Sequence, residues 1–436
     1  MQTLHIGFDD TDSRKGMCTT YLAYKIINDL KKTNVEFLDY PRLVRFNPNI
    51  PWKTRGNGAV GISIKSNEPE KIKNLVKNSV IKHSDTKNGA NPGLVFLQDD
   101  EIPNFLFDLS NDALYKLIHR NDIKKFSKKN KLELFNLGNG QGLIGALGVI
   151  GYRFSDHTFE LLSYRTRKNF GTKRIIKKNL VKRMQKESKN TFNSYDEEND
   201  SVLITPNGPD PVFYGIRGED PKSVIYASKM LTHSEKLDGY MVFKTNQGTG
   251  DHLKNKIDIE KFQPYTSGTI NGSVSSIPNV ERGGHVFFML NTQNKTIKCA
   301  VYKPTKITHI AKNLTIGDKV LLGGGVRKAS RNHSRVFNIE FLHIKELVEI
   351  KKQKNPFCQK CKKHMKSEGK NQGFKCIKCN NTSQQKNTII IPRQIKVGLY
   401  IPTSSAHRHL TRPKERLLKD NTQKESSKSI QWIKTF

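Results

Sequence analysis

Apolar runs long enough to cross a membrane are missing from this chain, which nowhere approaches the roughly 18 uninterrupted apolar residues of a spanning helix. The N-terminus also lacks the apolar core of a secretory leader, so a soluble, cytoplasmic protein is expected. Cysteine is scarce, six in 436 residues, and four of the six fall in two CxxC pairs. That usage excludes a disulfide-stapled secreted scaffold and points to metal ligation. Acidic residues are in short supply: 40 Asp and Glu face 75 Lys and Arg, for a formal charge of +35. Such an excess is far beyond what solubility requires and implies a polyanionic partner, with nucleic acid the natural candidate. The length excludes a single core and predicts two to four domains. No internal repeat is visible.

What is present concentrates at the start. In LHIGFDDTDSRKGMCTTYL, residues 4–22, the alternation of Leu4, Ile6 and Phe8 predicts a strand. Three carboxylates follow, Asp9, Asp10 and Asp12, and then a helix start led by Gly16 and carrying Cys18, Thr19 and Thr20. Magnesium takes hard oxygen ligands, and the free N–H groups of a first helical turn attract anions. The corner therefore reads as a site for Mg2+ and a nucleoside triphosphate such as ATP. A plainer role for Thr19 and Thr20 is capping of a helix over Tyr21–Leu30.

Two further loops fit phosphate contact. In NPNIPWKTRGNGAVG, Pro48 and Pro51 hold the chain extended, Lys53 and Arg55 offer cations, and Gly56, Asn57 and Gly58 let the backbone come close. In LGNGQGLIGALGVIG, Gly140, Gly142 and Gly145 match GxGxxG, which serves either a phosphate or close helix packing. Between these loops strands at 60–64 and 94–97 alternate with helices at 68–81 and 111–119, an α+β unit reaching Lys131. A charged helix is expected over 173–190, then an acidic loop at 196–200, a strand, GPDPVFYGIRG, and the polar loop FKTNQGTGDHL.

From Thr266 five short strands, 269–274, 285–290, 296–302, 319–322 and 336–344, leave room for one helix after the third. These are the parts of an OB-type barrel, which commonly binds single-stranded nucleic acid; a β-sandwich spacer is the alternative. Cys358, Cys361, Cys376 and Cys379 form CxxC, fourteen residues, CxxC, a spacing that closes a tetrahedral Zn2+ shell. A redox CxxC would not need the second copy, and His364 is read as a surface histidine. From Lys351 onward 21 Lys and Arg face 4 Asp and Glu, threaded with Tyr400, His407, His409 and Trp432. RNA contact is expected over 388–416 and a solvated, partly disordered run from Asn421 to Phe436.

Together, GFDDTDSRKGMCTTYLA, NPNIPWKTRGNGAVG, GNGQGLIGALG, GPDPVFYGIRG, FKTNQGT, the barrel strands and the four cysteines resemble the archaeal tRNA-isoleucine 2-agmatinylcytidine synthetase family, in the same order over nearly the whole chain. The resemblance implies an ATP-dependent ligase that joins agmatine to the wobble cytidine of the isoleucine tRNA with a CAU anticodon, so that AUA is read. It implies a multidomain α+β fold: a kinase-like catalytic α/β domain (1–58 and 132–195), a ferredoxin-like domain (59–131 and 196–262), an OB fold (263–348) and a zinc ribbon (354–384), with a basic tail (385–436). It also implies that Thr19, the first threonine after GMC, is the residue that becomes phosphorylated, and that Asp9, Asp10 and Asp12 surround phosphate and metal.

The chemistry is coherent. The 2-oxo group of cytidine is a poor leaving group until it is made a phosphate ester, and ATP supplies the phosphoryl group. Lys53 and Arg55 would stabilise the charge that develops. The guanidinium of agmatine needs a carboxylate, for which Asp210 or Glu219 is the candidate, although Asp210 also suits a Pro-flanked turn. An unpaired anticodon base is readily splayed into a pocket. Two alternatives remain at this point: an aspartate-dependent phosphohydrolase using Asp10 and Asp12, and a non-catalytic OB and zinc-ribbon RNA-binding protein. The loops argue against the first and the clustered carboxylates against the second.

Overall fold

An eleven-stranded sheet organises the first 250 residues of the computed structural model, which describes residues 1–123, 132–293, 295–331, 334–423, 427 and 430–436. The unit boundary expected at Lys131 lies outside the described residues. In chain order the elements are β1 (Gln2–Asp9), α1 (Thr19–Leu30), β2 (Val35–Phe37), β3 (Arg42–Arg45), β4 (Gly58–Ser66), α2 (Pro69–His83), β5 (Gly93–Leu97), α3 (Asn104–Tyr115), β6 (Glu133–Asn136) and α4 (Leu143–Gly151). Then come β7 (Thr158–Arg165), α5 (Lys178–Glu187), β8 (Thr191–Phe192), the small ribbon β9 (Tyr195–Asp196) and β10 (Ser201–Val202), β11 (Val212–Gly218), α6 (Pro221–Lys229) and β12 (Leu237–Thr245).

The sheet runs β6-β5-β1-β4-β3-β12-β7-β11-β8. Its two halves meet where β3 pairs in parallel with β12, through Arg42 with Lys244 and Leu43 with Thr245. Alternation decides which face of β1 meets what. Leu4, Ile6 and Phe8 are fully buried in the core shared with α1 and α2. Gly7 points the other way, where a Cβ would stand 2.1 Å from the Ala146 carbonyl, so α4 lies directly on the strand. Held between helices on both faces, β1 delivers its C-terminal aspartates to the sheet edge.

Two helices differ from expectation. The one expected over 111–119 is α3, which starts earlier because Leu106 and Leu109 are needed in the core beneath α4. The charged helix contracts to α5, whose Val181 and Met184 are its only buried residues among those described. In α2, by contrast, Pro69 at the first turn, Glu70 beside it and Lys82 and His83 in the last turn mark the ends as the sequence indicates.

The five expected barrel strands are present as β13 (Ser267–Val274), β15 (His285–Thr292), β16 (Lys295–Val301), β17 (Lys319–Arg327) and β18 (Val336–Glu346), with β14 (Asn279–Glu281) at the rim and α7 (Thr308–Ala311) after the third. They close in the order β13-β17-β18-β16-β15 and back to β13, with β16 and β18 parallel and the rest antiparallel. Full closure leaves no open edge along the ring.

The basic tail is not a solvated run in its described residues. A strand at Gly398–Tyr400 joins β18, and Ile433–Thr435 pairs antiparallel with β12. Trp432 is buried against Phe37 and Tyr40. Arg416 is wholly buried, donating Nη2 to Asp156 Oδ1 and Nε to Glu219 Oε1, both at 2.8 Å. Net charge averages over such anchors: a few apolar and paired residues at fixed places tie down a segment that reads as polar overall.

Candidate active site

The turn from β1 into α1 is built on unusual backbone. Asp10 and Met17 in this turn, and Arg55 and Asn57 in the facing loop, all have positive φ, at 55°, 57°, 40° and 52°. Each such residue costs on the order of 1–3 kcal/mol, a strain that clusters where function holds it. Arg55 joins the two loops: its guanidinium donates to the Met17 carbonyl at 2.7 Å and the Ser13 carbonyl at 3.1 Å, and stands 3.2 Å from Asp12 Oδ2.

Three carboxylates crowd the strand end. Asp9 Oδ1 accepts from the Asp10 N–H at 2.7 Å. Burial, reinforced by the Asp10 charge, pushes Asp9 up to about 8. Burial and Asp12 push Asp10 up to about 7. Asp12 is also raised by burial, against the opposing pull of Arg55, Thr19 and Thr54. Burial is the main cause in each, joined for Asp9 and Asp10 by a neighbouring carboxylate, while Arg55 stands against Asp12. Carboxylate oxygens are the hard donors that Mg2+ takes, although among the described residues only the four cysteines of the CxxC pairs bring metal-ligating atoms together as a set.

Thr19 opens α1 but does not cap it: Cys18 holds the cap position and no side chain bonds there. The capping role expected of the threonines is therefore not taken. Thr19 Oγ1 instead donates to Asp12 Oδ1 at 3.3 Å and accepts from Thr11 Oγ1 at 3.1 Å. Thr20 Oγ1 lies 3.1 Å from Cys18 Sγ, and burial raises the Cys18 thiol further from ionisation. Gly16 is exposed enough that a Cβ would meet only Asp85, 3.9 Å away.

Two cavities flank this corner. The smaller is lined by Asp9, Asp10, Trp52, Lys53, Thr54, Asn57, Lys116, Gln141 and Gly145. Of the glycine motif, only Gly145 reaches it. Gly142 is filled by packing, since a Cβ would stand 2.4 Å from both the Asp9 carbonyl and the Gly93 nitrogen. Gly140 takes φ +74° beside Asn136 and does not line it. The second cavity, about 240 Å³, is lined by Asp12, Cys18, Thr19, Thr20, Arg45, Arg55, Gly56, Glu160, Asp210, Arg217 and His409, with Leu43, Leu162, Ile204 and Val212 as apolar wall. It opens beside a groove of about 690 Å³ carrying Arg45, Lys53, Arg55, Arg217 and Arg408.

Asp210 lines the second cavity. It accepts from the Val212 N–H at 3.1 Å and from Arg174 at 3.2 Å, and lies 3.9 Å from Arg55. Glu219 is not brought there; Arg416 holds it elsewhere. Glu160 and Arg45 were not singled out in the sequence, and the charge of Glu160 at an otherwise buried position was the available signal for it. Arg217 and Gln247 lie in the segments GPDPVFYGIRG and FKTNQGT, and His409 in the stretch where RNA contact is expected, but none of the three was given a role at this cavity.

The four cysteine sulfurs lie within 4.8 Å of one another, with Cys358 and Cys379 at 3.5 Å. Tetrahedral zinc at about 2.3 Å from each sulfur needs edges of about 3.8 Å, so the set fits. Backbone N–H groups of Lys378 and Cys379 draw the Cys376 thiol toward thiolate. His364 stays exposed, bonded to the Asn355 carbonyl.

No helix among the described residues is long and apolar enough to cross a membrane. Family models match residues 5–139 (TiaS TCKD domain), 140–252 (TiaS FLD domain) and 355–395 (TiaS C-terminal zinc ribbon domain). The isoleucine-tRNA 2-agmatinylcytidine synthetase TiaS of Cenarchaeum symbiosum (strain A) is 49% identical over 410 residues, 94% of this chain and 92% of that one. The crystal structure of TiaS in complex with an isoleucine tRNA and ATP superposes with a TM-score of 0.87 at 34% identity, covering 97% of this chain and 99% of that one. A complex of TiaS with an isoleucine tRNA, AMPCPP and agmatine gives 0.84 at 32% identity, with coverage of 97% and 99%.

Proposed function

The chain belongs to the tRNA-isoleucine 2-agmatinylcytidine synthetase family, as its motifs imply, and on that premise we propose that it is an ATP-dependent ligase joining agmatine to the 2-carbon of the wobble cytidine in the CAU-anticodon isoleucine tRNA. Neither the phosphohydrolase nor the non-catalytic reading finds support in the comparisons. The observation that carries the proposal is the junction at Asp12 and Thr19. These residues stand between the acidic corner and a cavity that combines apolar walls with the Asp210 carboxylate. Agmatine has that same division, four methylenes between two cationic ends. Within this reading the catalytic half is kinase-like and its neighbour ferredoxin-like, followed by an OB fold and the zinc ribbon. The enzyme works in the cytoplasm, where tRNA is.

Asp9, Asp10 and Asp12 would hold Mg2+, which when bound offsets phosphate charge. A phosphoryl group derived from ATP is placed on the cytidine 2-oxygen, the agmatine amine, after losing its proton to solvent or a base, attacks C2, and inorganic phosphate leaves with that oxygen. Lys53 and Lys116 face the phosphate side, and Thr19, with its proton directed at Asp12, is the side chain placed to accept or orient phosphate. The groove of Arg45, Arg217 and Arg408 takes the anticodon backbone. The test is mass spectrometry of isoleucine tRNA after incubation with protein, ATP and agmatine. Asp10→Ala and Thr19→Ala should each abolish the product while tRNA binding stays within a few fold. A fully active Thr19→Ala removes that residue from the mechanism, and an unmodified tRNA with the wild-type enzyme refutes the reading.

A further inference from the structure

The chain returning from the zinc ribbon passes over the second cavity. It leaves the barrel at Gly398–Tyr400 and is pinned by Arg408, whose Nη1 reaches Asn49 Oδ1 at 2.7 Å and Glu340 Oε1 at 3.3 Å. The next residue, His409, reaches the cavity wall, where its carbonyl accepts from the Gly248 N–H at 2.9 Å.

The ring's tautomer follows from its neighbours. Gln247 donates its amide N–H to Glu160 Oε2, which turns its own Oε1 toward His409 Nδ1 at 2.7 Å. An amide oxygen only accepts, so Nδ1 carries the hydrogen. Arg217 Nη2 stands 3.2 Å from the same nitrogen, but the shorter contact decides the proton's place. Nε2 therefore holds the lone pair and faces Gly56, where a Cβ would lie 2.6 Å from it. Burial, with Arg45 and then Arg217 nearby, keeps the ring far below its ordinary protonation range and hence neutral.

The carboxylate of this wall is already engaged. Glu160 takes Arg217 Nε at 3.1 Å and the Gln247 amide, and faces Arg45 at 3.9 Å. A wall of guanidinium groups repels an ammonium and offers nothing to a neutral N–H donor, whereas a fixed lone pair receives one. We infer that His409 Nε2 is a positioning acceptor for a substrate N–H, supplied by the primary amine of agmatine or by the exocyclic amino group of the target cytosine. This rests on the synthetase reading above.

His409→Asn keeps a polar atom near the Nδ1 position and removes the acceptor at Nε2; His409→Gln places an amide oxygen near Nε2. With the full-length enzyme, His409→Asn is expected to raise one KM about tenfold, the factor for one buried hydrogen bond. The KM for agmatine rises if the amine is the donor, and that for tRNA if the cytosine is. The KM for ATP, the zinc content and the thermal melt stay at wild-type values, and His409→Gln recovers most of the loss. Gly56→Ala, whose Cβ would stand 2.5 Å from Cδ2 and 2.6 Å from Nε2 of the ring and 2.7 Å from Arg45 Nη1, pushes the ring off its place; it should reproduce the rise and serves as the test if the His409 variants do not fold. Unchanged KM values for both substrates, or equal loss of every constant in the Asn and Gln variants, overturn the inference. A wild-type enzyme that forms no agmatinylcytidine refutes the functional reading instead.

Discussion

Gly145→Ala should separate the two meanings of the glycine-rich loop. The residue lies on α4, where a Cβ would stand 2.0 Å from Asp9 Oδ2 and 2.7 Å from its Cγ. Real Cβ contacts hardly occur under 3.0 Å, so the carboxylate must retreat by about 1 Å. Overpacking of this kind costs about 1–3 kcal/mol, and replacing a helical glycine by alanine returns up to about 1 kcal/mol, leaving a net loss of about 0–3 kcal/mol. The fold survives that. Catalysis should not, because a displacement of about 1 Å in a catalytic group lowers rates by about a hundredfold. The assay is single-turnover incorporation of labelled agmatine into tRNA at saturating ATP, with urea unfolding of the same sample as control. Gly142→Ala is the comparator: its Cβ would press on backbone atoms at 2.4 Å on both sides, with no side chain able to yield, and should lose stability first. A wild-type rate in Gly145→Ala would remove Asp9 from the chemistry. Unfolding as severe as in Gly142→Ala would reduce the glycine to a packing device.

Arg416→Met should destabilise the sheet by about 3–5 kcal/mol, toward the lower end because Arg412 still reaches Asp156 at 2.7 Å. Hydrogen exchange at Val242, whose N–H bonds the Trp432 carbonyl, should accelerate with it; unchanged protection would place the terminal strand's stability elsewhere. Burial, with Arg42 for His5 and Lys244 for His157, lowers both histidines to about 4. Since the unfolded chain binds their protons near 6.5, stability is full above that pH and falls as pH drops from 6.5 toward 4, by at most about 3 kcal/mol for each. Urea midpoints at pH 7 and 5 test this, and a His5→Asn, His157→Asn double variant should flatten the difference. Cys376→Ser should lose its zinc by atomic absorption and weaken tRNA binding without affecting the thermal transition of the sheet; full metal content would reject the ribbon.

Short-range features were legible along the chain. A period of two in Leu4, Ile6 and Phe8 marked β1, and the cysteine spacing marked the metal set. The regular strands after Thr266 marked the barrel, because each depends on neighbours within a few residues. Asp9, Asp10, Asp12 and Thr19 were legible too, since one turn holds them all. The rest of the site was not. Glu160, Arg217, Gln247 and His409 are far apart in the chain, and although the last three lie in segments singled out in the sequence, nothing local shows that they converge on one cavity. Glu219 shows the converse: near Asp210 in sequence, it is carried away by the extended strand between them and held by Arg416.

The division has a physical cause. Sequence by itself determined which oxygens and sulfurs sit within one turn of each other, hence the acidic corner and the four-thiolate set that suits zinc. Only the tertiary structure decided what closes the cavity, because sheet pairing between β3 and β12 and the return of the chain from the ribbon bring residues hundreds of positions apart into hydrogen-bond range. Burial there sets the ionisation of His409, which no reading of neighbours in sequence contains.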